Sequence, residues 1–359
     1  MDIVNSWNEW DPLREVVVGS ARGKADMGYE PWQSAYFPNG SDNRRFRGAP
    51  VPAALIDEAE RQLDAFANVL VGLGIRVQRP DPVEHFAPHR TPDWEVHCGH
   101  ANACPRDALL IIGNEIIEAP MAQRARYFEF RAYRRLIKEY FHAGARWTAA
   151  PKPQLNDALY REPSTGAAFD HQRSALLSEF EPVFDAACFA RFGRDIFWQP
   201  DMVSNDFGAA WLARHLGPEF RLHRVSFREA TPMHIDTTLV PIRPGVVMVN
   251  PERPCLDDTL DLFRANQWRV IDAPPSVRSG PSPARGVSNW ISMNLLMLDE
   301  RTAVVEQSET PMIDLLRSLG CEVIPCAFER VYGFGGSFHC CTLDIRREGT
   351  LQSYFPSLD

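Results

Sequence analysis

A thiol at the end of a glycine-rich loop is the first candidate for chemistry in this sequence. Gly333-Phe334-Gly335-Gly336-Ser337-Phe338-His339-Cys340-Cys341-Thr342 runs into the strand-like Thr342-Leu343-Asp344-Ile345. Glycines free the backbone to turn sharply and to pass close to a ligand. Such a loop can present a sulfur nucleophile at a sheet edge. The plainer alternative is a turn with two packed cysteines, since a free thiol behaves as a small hydrophobe. A reactive thiol needs a base or a positive field, and histidine is its usual partner. The imidazole in turn needs a carboxylate to fix its orientation and tautomer.

Polar residues at strand ends supply these types. Pro105-Arg106-Asp107 precedes the apolar Leu109-Leu110-Ile111-Ile112-Gly113, and Asp185 stands among apolar neighbours in Glu181-Pro182-Val183-Phe184-Asp185-Ala186-Ala187-Cys188. Pro232-Met233-His234-Ile235-Asp236-Thr237-Thr238-Leu239-Val240 puts His234 and Asp236 two residues apart, on one face of an expected strand. Asn250-Pro251-Glu252-Arg253-Pro254 closes the next strand. Taken singly, each has a structural explanation. Asp107 suits a turn, Asp185 an N-cap for residues 186–191, His234 a satisfied core position, and Arg253 a solvated loop. Taken together they meet one demand. Cys-His-Asp centres assemble from distant positions. Two further acids suit a planar, multi-donor cation such as a guanidinium, and Arg253 suits a carboxylate. A guanidino group at one end and a carboxylate at the other describe arginine.

The elements that must position these residues repeat along the chain. From Pro52 to Leu73 the apolar Leu55, Ala59, Leu63, Phe66, Leu70 and Leu73 recur at helical steps, then Gly74 and the alternating Ile75-Arg76-Val77-Gln78-Arg79-Pro80 follow. The same helix–turn–strand–proline order is expected at Tyr127–His142, Gly208–His215, Leu260–Asn266 and Met312–Leu319. A short apolar strand precedes each: Glu15–Gly19, Leu109–Gly113, Asp195–Trp198, Gly245–Val249 and Thr302–Val305. Five such units suggest a ring or array whose loops meet at one axis. An ordinary α/β domain would also alternate strands and helices. Residues 20–50 read as a long ordered loop that lines a site.

Composition sets limits. The chain has 359 residues, 45% apolar and 24% charged, as in a soluble globular protein. A net charge of −9 and the lack of a Lys/Arg run argue against a nucleic-acid partner. No apolar run reaches membrane-span length, and Met1-Asp2-Ile3-Val4-Asn5 does not read as a secretion signal. The eight cysteines are scattered and read as cytosolic thiols, without a zinc pattern.

Several stretches carry a family resemblance. They are Asn114-Glu115-Ile116-Ile117-Glu118-Ala119-Pro120-Met121-Ala122, Phe184-Asp185-Ala186-Ala187, Pro232-Met233-His234-Ile235-Asp236, Asn250-Pro251-Glu252-Arg253-Pro254, Trp290-Ile291-Ser292-Met293-Asn294 and Gly335-Gly336-Ser337-Phe338-His339-Cys340. With these the chain resembles the amidinotransferases that use arginine as donor, such as arginine:glycine amidinotransferase and the inosamine-phosphate amidinotransferases. The likeness runs from about Asn8 to Tyr354. It implies one domain over residues 1–359, an α/β pentein-like propeller of five ββαβ pseudo-repeats around a central channel. It also implies a cytoplasmic homodimer that acts on small molecules and has no metal or cofactor.

Carried over residue by residue, the resemblance puts the nucleophile on Cys340, the acid/base on His234 and its carboxylate partner on Asp185. Asp107 and Asp236 would hold the guanidinium, and Arg253 and Ser288 the donor carboxylate. Met233 and Thr231 would shape the acceptor space. Cys188 stands where glycine-using relatives carry an acid, and Val287 where a second serine is expected. Cys341 reads as a packed neighbour. The implied reaction is ping-pong transfer from L-arginine, through an amidino-Cys340 intermediate, to an amine, with release of L-ornithine. A glycine-like acceptor fits best, ahead of lysine, a specialised-metabolite amine or an aminocyclitol phosphate. The rival readings are an arginine deiminase-like hydrolase and an arginine-binding scaffold with an idle thiol.

Overall fold

Among the described residues the repeated helix–turn–strand pattern folds into five three-stranded sheets with the same pattern of antiparallel and parallel pairing. A computed structural model describes residues 3–28, 30, 47–161, 177–229, 233–277 and 288–358. In each sheet the middle strand pairs antiparallel with an entering strand and parallel with a leaving strand. A helix links the middle strand to the leaving one, as a parallel pair requires. One sheet joins Leu109–Ile112, Glu115–Glu118 and Arg146–Ala149 through the helix Arg134–His142. The next joins Phe189–Phe192, Asp195–Trp198 and Arg221–Arg224 through Asp206–Leu216. Then come Leu239–Arg243, Val246–Val249 and Arg269–Asp272 with Thr259–Ala265. Leu296–Met297, Thr302–Glu306 and Glu322–Cys326 follow with Thr310–Ser318. The remaining sheet is assembled from both ends of the chain. Thr342–Arg347 pairs antiparallel with Leu13–Val18, which pairs parallel with Arg76–Gln78 after the helix Ala53–Gly72.

Local sequence explains these elements. The strands Leu109–Ile112 and Val246–Val249 are buried at every residue and read as continuous apolar runs; Phe189–Phe192 is as buried but carries Arg191. Gly193 turns a two-residue hairpin loop at φ 70°. A Cβ there would stand 2.2 Å from the Gln352 carbonyl oxygen. Helix Ala53–Gly72 buries Ala59, Leu63, Phe66 and Leu70, one stripe at helical spacing. Leu55 and Leu73, expected in that stripe, are each 49% exposed at its ends. Within residues 20–50, Ala25–Gly28 pairs antiparallel with Arg47–Pro50, and residues 31–46 lie outside the described residues.

Three local expectations are corrected. Tyr127–His142 is not one helix: a 3-10 turn at Glu129–Tyr133 leads into Arg134–His142. That turn carries Glu129, which pairs with Arg126 at 2.8 Å, and Arg126 also reaches Asp107 at 2.9 Å. His234 and Asp236 are not on a strand. The strand begins at Leu239, and residues 235–238 turn, with the N–H groups of Thr238 and Leu239 both donating to the Ile235 carbonyl. Asp185 occupies the cap position of Ala186–Cys188 but makes no side-chain cap bond. Its carboxylate is used elsewhere.

Each entering strand is led in by a turn. These turns carry Asp107, Asp185, the His234–Asp236 pair, Asn294 and Cys340. Behind them lies a buried charge network. Arg191 Nε and Nη2 each donate to Glu9 at 2.7 Å, and Nη2 also reaches Asp344 at 2.9 Å. Arg106 reaches Asp344 at 2.8 Å, and Arg347 reaches it at 2.9 Å. Those five residues come from three different sheets and their leading turns. Buried charges survive only when fully paired, so the network fixes how these turns meet.

Candidate active site

Cys340 is 4% exposed. Its thiol stands 3.2 Å from Asp236 Oδ2, and the Asn294 Nδ2 group donates to the sulfur at 3.1 Å. Asn294 Oδ1 also accepts from the backbone N–H groups of Ser337 and Cys340, each at 3.1 Å. One amide thus holds both the loop and its sulfur. Gly336 explains the loop composition, because a Cβ there would stand 2.3 Å from Cys340 Cβ and 2.9 Å from its sulfur. Burial first, then the charges of Asp236 and Asp107, push the thiol well above its ordinary value.

His234 holds a left-handed backbone at φ 59°, a conformation non-glycine residues adopt at a cost. Its backbone N–H donates to Asp201 Oδ2 at 2.8 Å. Its ring bridges two acids, with Nε2 at 3.1 Å from Asp185 Oδ2 and Nδ1 at 3.7 Å from Asp107 Oδ1. Burial alone would lower the imidazole pKa. Asp107, then the bond and charge of Asp185, then Asp236, override it and raise the value to about 10. His234 is therefore an imidazolium at neutral pH. Burial raises Asp107, with Asp185 and Asp236 adding and His234 and Arg126 opposing. Asp236 moves the other way: burial would raise it, but the bond and charge of His339 hold it low.

Arg126 is the second cation. Its Nη1 lies 2.9 Å from Asp107 Oδ2 and 3.2 Å from Asp185 Oδ2, and its Nη2 lies 2.8 Å from Glu129. Three buried acids, Asp107, Asp185 and Asp236, face the imidazolium and this guanidinium. Glu129 shares Arg126, and His339, which bonds Asp236, is shared with Glu9, so the acids still outnumber the bases that face them. Asp107 Oδ1 is buried without a hydrogen bond among the described residues. A cation with several N–H donors fits that deficit. Asp107, His234 and Cys340 also offer ligand atoms within 4.8 Å of one another, spacing that a metal ion could use. They are the same groups that the thiol chemistry needs.

Arg253 and Ser288, expected at the donor carboxylate, are brought together. Arg253 Nη2 donates to Ser288 Oγ at 2.9 Å. Its Nη1 donates to the Thr237 carbonyl at 3.0 Å and to the hydroxyls of Thr237 and Thr238 at 2.8 Å. The turn that carries Asp236 thus also holds Arg253. Met233 is half-buried and packs on the core that contains Asp185's neighbours Phe184 and Ala186. Thr231 and Val287 lie outside the described residues. Cys188 donates to Asp201 at 3.1 Å, so an acid faces that spot from another loop. Cys341 is fully buried, a free thiol hydrogen-bonded to the Cys104 thiol. An open groove of about 440 Å³ between Ala53–Gly72 and Glu322–Cys326 contains none of the converging acids or the thiol.

No family model matches the chain. Individual proteins do. It is 45% identical over 360 residues to the mitochondrial glycine amidinotransferase of Gallus gallus, covering 98% of this chain and 85% of that protein. It is 44% identical over 356 residues to the L-arginine:L-lysine amidinotransferase of Pseudomonas savastanoi pv. phaseolicola, covering 98% and 96%. The chain belongs to the amidinotransferases. Its structure matches SxtG, an amidinotransferase of the saxitoxin biosynthetic pathway from Microseira wollei, with a TM-score of 0.89. That match has 47% identity and covers 98% of this chain and 100% of SxtG. The amidinotransferase is thus a transferase with an α/β pentein fold.

Several groups of this amidinotransferase site were not assigned from the sequence. Asn294 lies in a stretch that carried the resemblance, yet nothing local shows that its amide meets the thiol. Arg126, Glu129 and Asp201 gave no signal beyond charge. His339, next to the thiol, bonds Asp236 through Nδ1 at 2.9 Å and reaches Glu9 through Nε2 at 3.4 Å. It ties the site to the charge network behind it. Asn294→Ala removes the amide bonded to both sulfur and loop. We expect its turnover to fall ~10²-fold, the cost of losing one well-placed donor. Steady-state ornithine release checks this, and an unchanged kcat would refute the role.

Proposed function

We propose that this amidinotransferase moves the amidino group of L-arginine through a covalent adduct on Cys340 to a small amine acceptor. One observation carries the reading: the Cys340 thiol, the His234 imidazolium and the acids Asp107 and Asp236 converge on one spot short of positive charge. The donor guanidinium lies between Asp107 and Asp236 and offsets the two charges that hold the thiol pKa up. The thiol then loses its proton to solvent. The thiolate attacks the guanidino carbon and gives a neutral tetrahedral adduct. His234 donates its proton to the side-chain nitrogen, the C–N bond breaks and ornithine leaves. A cationic amidino-thioether remains on Cys340, beside a neutral imidazole oriented by Asp185. An acceptor amine attacks that carbon, His234 takes its proton, and the C–S bond breaks. Arg253 and Ser288 hold the donor carboxylate. Apart from the thiol proton, which goes to solvent, His234 carries each proton transfer, and no metal or cofactor takes part.

The acceptor is a small amino-acid-like amine, glycine first. Pro232-Met233 ahead of His234 supports this, as it is similar to the glycine-using enzymes. Lysine or a specialised amine is the runner-up. The same reading takes residues 1–359 as one domain, five pseudo-repeats of a propeller around a channel. The protein works as a homodimer in the cytoplasm, on small molecules and not on nucleic acid. The net charge of −9 agrees with the last point. Among the described residues no helix is long and apolar enough to cross a membrane.

An acceptor screen tests the proposal. Arginine is supplied with glycine, lysine, γ-aminobutyrate or aminocyclitols, and ornithine is measured. Glycine should give the fastest release. Citrulline without ornithine would replace the transferase reading with hydrolysis.

A further inference from the structure

The seat expected for the donor carboxylate is not vacant. Arg253 Nη2, already bonded to Ser288, also meets Glu229 Oε1 at 2.6 Å. The side chains of Glu229 and Arg253 are 11% and 10% exposed. The backbone builds this pairing. Phe227 and Cys255 form an antiparallel bridge, the Arg228 N–H donates to the Pro254 carbonyl at 2.9 Å, and the Leu256 N–H donates to the Ser226 carbonyl at 2.8 Å. Glu229 and Arg253 are therefore next to each other across two paired segments.

An incoming carboxylate thus meets an arginine that already holds one. If it displaced Glu229 and brought nothing else, a buried anion would lose its partner beside a second anion. Stripping a buried charge of its partner is strongly unfavourable. The charge of Asp201 also acts on Glu229, in the unfavourable direction. An α-amino acid removes the conflict, because its ammonium is next to its carboxylate. The carboxylate takes Arg253, the ammonium takes Glu229, and four charges alternate in sign.

We infer that Glu229 receives the donor's α-ammonium, so that Glu229 and Arg253 together select a free α-amino acid as the amidino donor. This rests on the proposed arginine-dependent transfer and adds a specificity-determining residue to it. Burial, with Asp201, pushes the Glu229 carboxyl up to about 7 against the pull of Arg253. A donor ammonium would hold it ionised. A merely structural ion pair would give no preference between donors that differ only in the α-amino group.

Binding to the Cys340→Ala chain isolates the seat from turnover. Calorimetry compares L-arginine with δ-guanidinovalerate, the same molecule without its α-amino group. Arginine should bind at least ~30-fold tighter, the loss expected for a buried charge-assisted hydrogen bond. Adding Glu229→Gln should bring the two ligands within ~3-fold, mainly by weakening arginine. A preference below ~3-fold with Glu229 intact overturns the inference without recourse to any Glu229 variant. So does a preference that survives Glu229→Gln. Ornithine release by the unsubstituted enzyme is measured in parallel. Release from arginine with an unaltered preference removes Glu229 alone. Failure both to bind arginine and to release ornithine removes the donor reading, and this inference with it.

Discussion

Cys340→Ala loses ornithine release by at least ~10⁴-fold, because the group that accepts the amidino carbon is gone. The unsubstituted protein, given arginine without an acceptor, gains the mass of one amidino group, and the variant gains none. Arginine binding survives, since Asp107, Asp236 and Arg253 are untouched. The neighbouring thiols do not substitute. Both are free thiols: the hydrogen bond to Cys341, with burial adding, raises the Cys104 pKa, and burial raises that of Cys341. Serine at position 340 is inactive as well, because the acids that oppose a thiolate oppose an alkoxide more. The mass measurement decides. An adduct that persists in Cys340→Ala puts the covalent carbon elsewhere and dismantles the ping-pong scheme.

How far the molecule is legible in its sequence follows from which residues depend on distant partners. The helix–turn–strand repeat was readable because an amphipathic helix such as Ala53–Gly72 has its own period. Entering strands were harder. Phe189–Phe192 is buried on both faces and carries no alternation, so only its pairing with Asp195–Trp198 marks it as a strand. The reverse error occurred at His234–Asp236. Two polar residues two apart imitate alternation, but His234 at φ 59° belongs to a turn. Cys340 stood out as a candidate because residue type and turn chemistry coincide there, whereas Asp185 read as an N-cap and its side chain makes no cap bond. Groups defined by what they touch were not. Arg126 is one arginine among many until it meets Asp107 and Asp185. Asn294 is a turn residue until its amide meets the sulfur. Glu229 is a loop acid until the bridge at Phe227 and Cys255 sets it against Arg253.

His234→Ala separates binding from turnover in a direction that few alternatives share. The imidazolium faces Asp107, Asp185 and Asp236, with Arg126 and His339 as the other basic side chains that touch these acids. Deleting it deepens the deficit of positive charge, so arginine affinity holds or increases. Turnover falls ~10²–10⁴-fold, because the departing amine loses its proton donor and the acceptor loses its base. The pH profile of the unsubstituted enzyme follows from the same groups. His234 stays protonated until the pH nears about 10, so the arginine half-reaction declines only above that point. At lower pH the rate for free enzyme and arginine climbs with pH, as the raised thiol of Cys340 ionises. Folding is linked to the same titration. A histidine raised from ~6.5 contributes stability fully below that value and loses it as the pH rises through about 10. The stability difference between the unsubstituted protein and His234→Ala therefore narrows across that window. A variant with full activity would end the acid/base assignment. One that fails to bind arginine would show that the ring positions the acids and does not titrate for the reaction.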